Sequence, residues 1–256
     1  KQFIFIIFNF LKFFFKFKLK RSFQEISRLY YLIKEKSYTK YIKKIIETEK
    51  KIKCEKIFFI NSNINASKNF FSFNNLINPN YELRELSFLK ENNNLSNFKI
   101  GIHPTIQTYN SQILMKKELK HLENFFNLKI IYSRQHWLKY KKNKTSSVLK
   151  KCGILNDFTF GFNDISCFRG SRAFLFKDRG INRTPMVMMD SHLYDYSQME
   201  FDQIKKSINK ILDEVILVGG TISINWHPHT ISKSFGWKKG YDHLIKKIKK
   251  NEKYIY

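Results

Sequence analysis

The chain has 256 residues and a mass of 30.9 kDa, enough to bury one sizeable core, so a single domain is expected. Its 47 Lys and Arg outnumber 21 Asp and Glu, giving a net charge of +26, but the lysines run the whole length beside an excess of Phe, Ile and Asn, and no nucleic-acid-binding motif accompanies them. A nucleic-acid partner is therefore not expected, and three scattered cysteines, Cys54, Cys152 and Cys167, without a Cys-x-x-Cys pair, exclude a disulfide framework or a zinc knuckle and point to a reducing, cytoplasmic location.

Residues 3–15 are strongly apolar but carry Asn9 and Lys12, are too short to span a bilayer and run into KFKLKR. They read as an aromatic-rich amphipathic helix suited to peripheral contact with a membrane rather than as a signal peptide. From Phe23 to Lys53 the apolar residues Ile26, Leu29, Tyr30, Ile33, Tyr41, Ile42, Ile45 and Ile46 recur at helical spacing, which predicts two helices broken near Ser37. KIFFI (56–60) is a β-rich run bounded by polar residues and predicts a strand, with an asparagine-rich loop following it to Asn80 and a helix over 81–90.

FKIGIHPT (98–105) is the strongest strand, stopped at His103-Pro104 because proline cannot donate to a ladder. Four later apolar runs end in the same way on a polar or charged residue. Predicted strands over 128–133, 158–162, 186–189 and 221–226 hand over to Arg134 and His136, to Asn163-Asp164, to Asp190 and to His227. Helices are expected over 111–126, with Ser111 as cap, and over 144–151, 201–214 and 240–250, whereas 167–180 reads as a basic loop. Alternating strands and helices imply a parallel sheet with right-handed crossovers, and polar residues at five strand ends favour an incomplete (β/α) barrel over an open sheet. The domain is expected to comprise a helical segment, 1–53, and a barrel, 54–256.

Three strand-closing histidines, His103, His136 and His227, would suit a divalent metal such as zinc or acid-base work. Arg134 shares a strand face with His136 and could hold a carboxylate ionised. Trp226 offers an apolar platform for a sugar ring, and Arg169 in FRGSR could clamp a substrate. Asp190, on a buried strand, needs either a salt bridge or a substrate contact. No GxSxG, P-loop, GxGxxG or HExxH motif occurs, which argues against serine-hydrolase, nucleotide-dependent and zincin chemistry.

The ordered series KIFFI, IGIHPT, KKELKHLE, SRQHWL, GILNDFTFGFND, FRGSRAF, VMMDSHL, GGTISINWHPHT and GYDHLI resembles the polysaccharide deacetylase superfamily, in its bacterial branch associated with surface-polysaccharide biosynthesis. The resemblance covers about Cys54 to Ile245. It implies a distorted (β/α) barrel and metal-assisted removal of an acyl group from an N-acylated sugar. His103 matches a metal-ligand histidine, with His136 as a second ligand, Arg134 the arginine that positions the base, and His227 the acid. Trp226, Arg169, Asp164 and Asp190 are expected to contact substrate. The chain departs from the pattern twice. Gln107 stands where a second ligand histidine is implied, and no Asp occurs before KIFFI, where an aspartate pair supplies base and ligand. The expectation is therefore an N-terminally truncated member, with a catalytically inactive carbohydrate-binding or polysaccharide-assembly protein on the same fold as the alternative.

Overall fold

KIFFI and FKIGI form β1 (Lys56–Ile60) and β2 (Phe98–Ile102), which pair in parallel with Phe59 opposite Gly101. The glycine is required there, because a Cβ would lie 2.7 Å from the Phe59 ring. The computed structural model describes residues 2–17, 19–31, 38–62, 64, 81–91 and 98–252. The expected helix break near Ser37 and most of the asparagine-rich loop to Asn80 lie outside the described residues.

Helices α1 (Gln2–Phe15), α2 (Leu19–Tyr30) and α3 (Tyr38–Glu49) precede β1. The segment expected as one helix over 81–90 is a 3-10 turn, Leu83–Leu86, followed by the short α4 (Phe88–Glu91). Beyond β2 come α5 (Gln112–Phe126), β3 (Tyr132–Ser133), α6 (Lys144–Lys151), β4 (Asn156–Asp157), β5 (Phe176–Asp178), β6 (Ile181–Arg183) and β7 (Met186–Met189). The chain continues through α7 (Phe201–Val218), β8 (Ser223–Asn225) and α8 (Lys238–Lys250). One sheet has the order β1-β2-β3-β4-β6-β5, parallel except for the β5–β6 pair, and β7 and β8 form a second, parallel pair. The architecture is a distorted, incomplete (β/α) barrel.

Three strands differ from the sequence reading for local reasons. Only Tyr132 and Ser133 of the 128–133 run pair, because Asn127 closes α5 in the left-handed region (φ 51°) and the Ile130 N–H donates to Glu123 on that helix instead of to a ladder. The run 158–162 is not a strand. The ladder stops at Asp157, and Phe158 and Phe160 make single backbone bonds to Ser133 and Met186. The expected loop 167–180 contains β5, because Arg179 and Gly180 both have positive φ and turn the chain into a hairpin with β6.

Gly161 fixes the passage between the two sheets, since a Cβ there would lie 2.4 Å from the Met186 carbonyl oxygen. Gly161→Ala is expected to lower stability by about 1–3 kcal/mol, as forced overpacking does, read as a fall in thermal midpoint.

Apolar burial is divided around the sheet. Ile102, Met115, Leu122, Ile130 and Leu149 form one core between β2 and β3 and the helices α5 and α6. Tyr31, Tyr41, Phe235, Trp237 and Tyr241 form an aromatic cluster that joins α3 to α8, and Val187, Met188, Ile204 and Ile208 pack β7 on α7.

Candidate active site

The parallel strands bring their carboxyl ends to one mouth. His103 follows β2, Arg134 follows β3, Asp190 follows β7, and His227 lies two residues beyond β8. A cavity of about 1870 Å³ is lined by His103, Arg134, Gln135, His136, Asn225 and His227, among others.

His103 is set by the proline that follows it. Its N–H donates to Ile60 O at 2.8 Å, and the Asn61 amide donates to its carbonyl at 2.9 Å. Thr105 caps the turn by donating its N–H to Glu118 on α5 at 2.9 Å, with the Thr105 hydroxyl also on that carboxylate. His103 Nδ1 lies 2.7 Å from Arg134 O. A carbonyl only accepts, so Nδ1 carries the hydrogen and Nε2 keeps its lone pair. Burial, then the nearby His136, pushes the His103 pKa well below the ordinary imidazole value, so the ring is neutral. The rings of His103 and His136 have centroids 4.9 Å apart.

Arg134 is buried and anchored by neutral groups. Nη1 donates to Asn225 Oδ1 at 2.7 Å and Nη2 to Ser223 Oγ at 2.9 Å, while the guanidinium covers the Phe59 ring at 4.5 Å. Burial pulls its pKa down to about 10, against the field of Asp157, which leaves it charged at neutral pH. Among the described residues no carboxylate forms an ion pair with Arg134, so the base that the resemblance assigns to it is not among them.

Asp190 has no exposed surface, whereas the His227 side chain is 42% exposed. The imidazole thus faces the mouth and the carboxylate lies beneath it. His227 Nδ1 lies 2.7 Å from Asp190 Oδ1, the His227 N–H donates to Oδ2 at 2.9 Å, and the Thr230 hydroxyl donates to Oδ2 at 2.9 Å. Burial alone would lower the His227 pKa, but the charge and hydrogen bond of Asp190 outweigh it and the value sits above the ordinary one. Conversely, burial would raise Asp190, yet His227 holds it below the usual carboxylate value.

This corrects one expectation. Asp190 is not placed to touch substrate, because its oxygens are occupied by His227, Thr230 and Ser191; it satisfies the salt-bridge alternative. Trp226 also lines the cavity, with its ring against Tyr194 and Tyr241, while Asn225 before it turns to Arg134. Arg169 and Asp164 stand apart from the central four residues, both exposed. Arg169 donates to Gly161 O at 2.9 Å and covers the Phe160 and Phe162 rings, and Asp164 acts on His192, Cys167 and Tyr196.

The residues missed in the sequence are Asn225 and Ser223, which anchor Arg134, and Thr230, which shares Asp190 with His227. Asn225 was within reach of a simple signal, since it lies two residues before His227 in the extended run that leaves β8 and so shares its face.

As a metal centre the arrangement is incomplete. His103 and His136 bring two imidazoles together, but among the described residues no group of three or more His, Cys, Asp or Glu could hold an ion. The end of β1 beside His103 carries Asn61 and Ser62 rather than carboxylates. These residues do not make a full metal site, and no step is assigned to a metal.

The fold and mouth define a (β/α)-barrel protein with a neutral imidazole, His103, beside His136 and a second imidazole, His227, held on a buried carboxylate, all at its strand ends. No protein-family model and no curated protein matches the sequence. Among solved structures, one from Mycobacterium smegmatis, described as a polysaccharide deacetylase, is similar with a TM-score of 0.58 at 11% identity, over 84% of this chain and 72% of that one. A second, from Bordetella bronchiseptica and described as a polysaccharide deacetylase involved in O-antigen biosynthesis, gives a TM-score of 0.48 at 11% identity, over 83% and 87%. The chain has the polysaccharide deacetylase fold.

Proposed function

We propose that the barrel mouth binds an N-acylated sugar and removes its acyl group. The observation that supports this reading is the Asp190–His227 pair at the mouth, within the field of a neutral His103. Two imidazoles whose surroundings push their pKa values apart divide naturally into proton donor and proton acceptor. His227, whose pKa Asp190 raises, delivers a proton to the departing amine. The Nε2 lone pair of His103, with His136 beside it, takes a proton from the water as its oxygen bonds to the acyl carbon, and the C–N bond breaks as the amine takes the proton from His227. Arg134, charged and fixed on neutral partners, stabilises negative charge as it develops on the acyl oxygen.

A second reading, a sugar-binding or polysaccharide-assembly protein without hydrolysis, is favoured by one observation. The described residues lack both a carboxylate paired with Arg134 and a third metal donor. Acetate release from N-acetylated sugars and oligosaccharides, measured beside calorimetric binding and zinc content, separates the two. Release that His227→Ala reduces at least a hundredfold is the expected result. Binding without release would establish the second reading, and neither binding nor release would sink both.

A further inference from the structure

The helix α2 is inside out. Its buried residues are polar, Ser22, Glu25 and Arg28, whereas Leu19, Phe23, Ile26 and Tyr30, at spacings of four, three and four, form one apolar stripe that faces solvent. On α1, Ile7, Phe8, Leu11, Phe14 and Phe15 continue the exposed apolar surface, with Phe23 at 66% and Phe15 at 74% exposure. An amphipathic helix in a globular protein ordinarily turns its apolar face inward, and contiguous apolar surface left outside marks an interaction site.

The orientation is fixed by specific bonds. Arg28 Nη1 lies 2.9 Å from Glu25 Oε1 and 3.1 Å from Asp195 Oδ1, and its guanidinium lies 4.9 Å from the Phe235 ring centroid and 4.7 Å from that of Trp237. Arg21 adds an ion pair to Glu200 at 3.0 Å, so α2 is held to the body by its polar face. Ile6, Asn9 and Phe13 bury the matching side of α1.

Charge identifies what covers this surface. Positions 1, 12, 16, 18 and 20 are lysines and none of residues 1–24 is acidic, so the sequence of the apolar hairpin is interspersed with cations and no anions. We infer that the exposed α1–α2 face docks on an anionic lipid surface, with its aromatic and aliphatic side chains entering the headgroup region and the lysines contacting phosphates. A second copy fits poorly, because a two-fold contact sets the same patch against itself and brings these cations together on chains of net charge +26. The helix lies along the surface rather than across it. Its 14 residues span roughly 21 Å at about 1.5 Å each, short of the roughly 30 Å hydrocarbon core. Among the described residues no helix is long and apolar enough to cross a membrane. This inference is independent of the chemistry proposed for the barrel mouth.

The test is co-sedimentation of the full chain with phosphatidylcholine vesicles and with phosphatidylcholine–phosphatidylglycerol vesicles, at low and high salt. The wild type is expected to pellet with the anionic vesicles and much less with the neutral ones. A Phe8→Ser/Phe15→Ser/Phe23→Ser variant, altered only at exposed positions and checked for unchanged thermal unfolding, should lose at least tenfold in affinity. Lys12→Glu/Lys16→Glu should lose the preference for anionic vesicles. A wild type that stays in the supernatant with anionic vesicles overturns the inference, as does a triple variant that pellets undiminished. A wild-type dimer on gel filtration that the triple variant disperses would assign the face to a second copy and also overturn it.

Discussion

Asp157→Ala is expected to cost the fold about 3–5 kcal/mol, read as a lower urea midpoint at unchanged slope. Asp157 and Arg183 are both buried at the centre of the sheet, on the paired strands β4 and β6, with Arg183 Nη1 2.7 Å from Asp157 Oδ2. The Arg183 Nη2 donates to Tyr140 Oη and Ser146 Oγ at 3.0 and 2.9 Å, and the guanidinium covers the Tyr140 ring at 4.4 Å. Removing the carboxylate leaves a cation in the core with Asp178 as its remaining charged partner, 3.0 Å from Nε. The loss comes from stranding that charge rather than from the pair being strongly favourable. Burial raises the Asp157 pKa even with Arg183 beside it, which means that desolvation outweighs the attraction. A double substitution, Asp157→Asn with Arg183→Met, should therefore recover most of the loss. If the double variant is no more stable than Asp157→Ala alone, the pair is itself a net source of stability and this account fails.

Much of the barrel was legible because strands and helices here have strong local signals. FKIGI ends where Pro104 must end it, Ser111 accepts from the Leu114 N–H as a helix cap, and Gly219, at φ 65°, closes α7 four residues beyond the expected end. The same local logic placed His103, Arg134, Asp190 and His227 at strand ends, and the parallel pairing gathered them. What escaped the sequence was whatever depended on neighbours distant in the chain. Asp157 gave no signal, because the reading carried the strand past it to Asp164, and its partner Arg183 lies in a hairpin whose only mark was Arg179-Gly180. The reversed α2 could not be foreseen either, since the periodicity of Ile26, Leu29 and Tyr30 establishes an apolar stripe but not the side on which the body lies.

Asp190→Asn tests the proton-handling pair most sharply. The carboxamide keeps the shape and can still accept from the His227 N–H and Thr230, so the fold should survive, but His227 loses its anionic partner. With burial no longer opposed, the imidazole pKa should fall from above its ordinary value to below it, observable by histidine NMR titration. If His227 acts as the acid, deacetylation should fall by about 10²–10⁴-fold, and the alkaline limb of kcat/KM should move to lower pH. Stability gives a second, activity-independent readout. A raised imidazole pKa contributes stability that is fully present below the unfolded value, about 6.5, and is lost as pH rises through the folded one. A depressed carboxylate contributes above its unfolded value, about 3.9, and is lost as pH falls through the folded one. The pair thus stabilises most between about pH 4 and 6.5, and in Asp190→Asn, with the imidazole pKa below its unfolded value, the urea midpoint should instead fall as pH drops from about 6.5 through that window. A variant whose midpoint falls in this way while its alkaline limb stays in place would show that the pair holds β7 to β8 without transferring the proton. Loss of activity with a shifted limb would fix His227 as the acid.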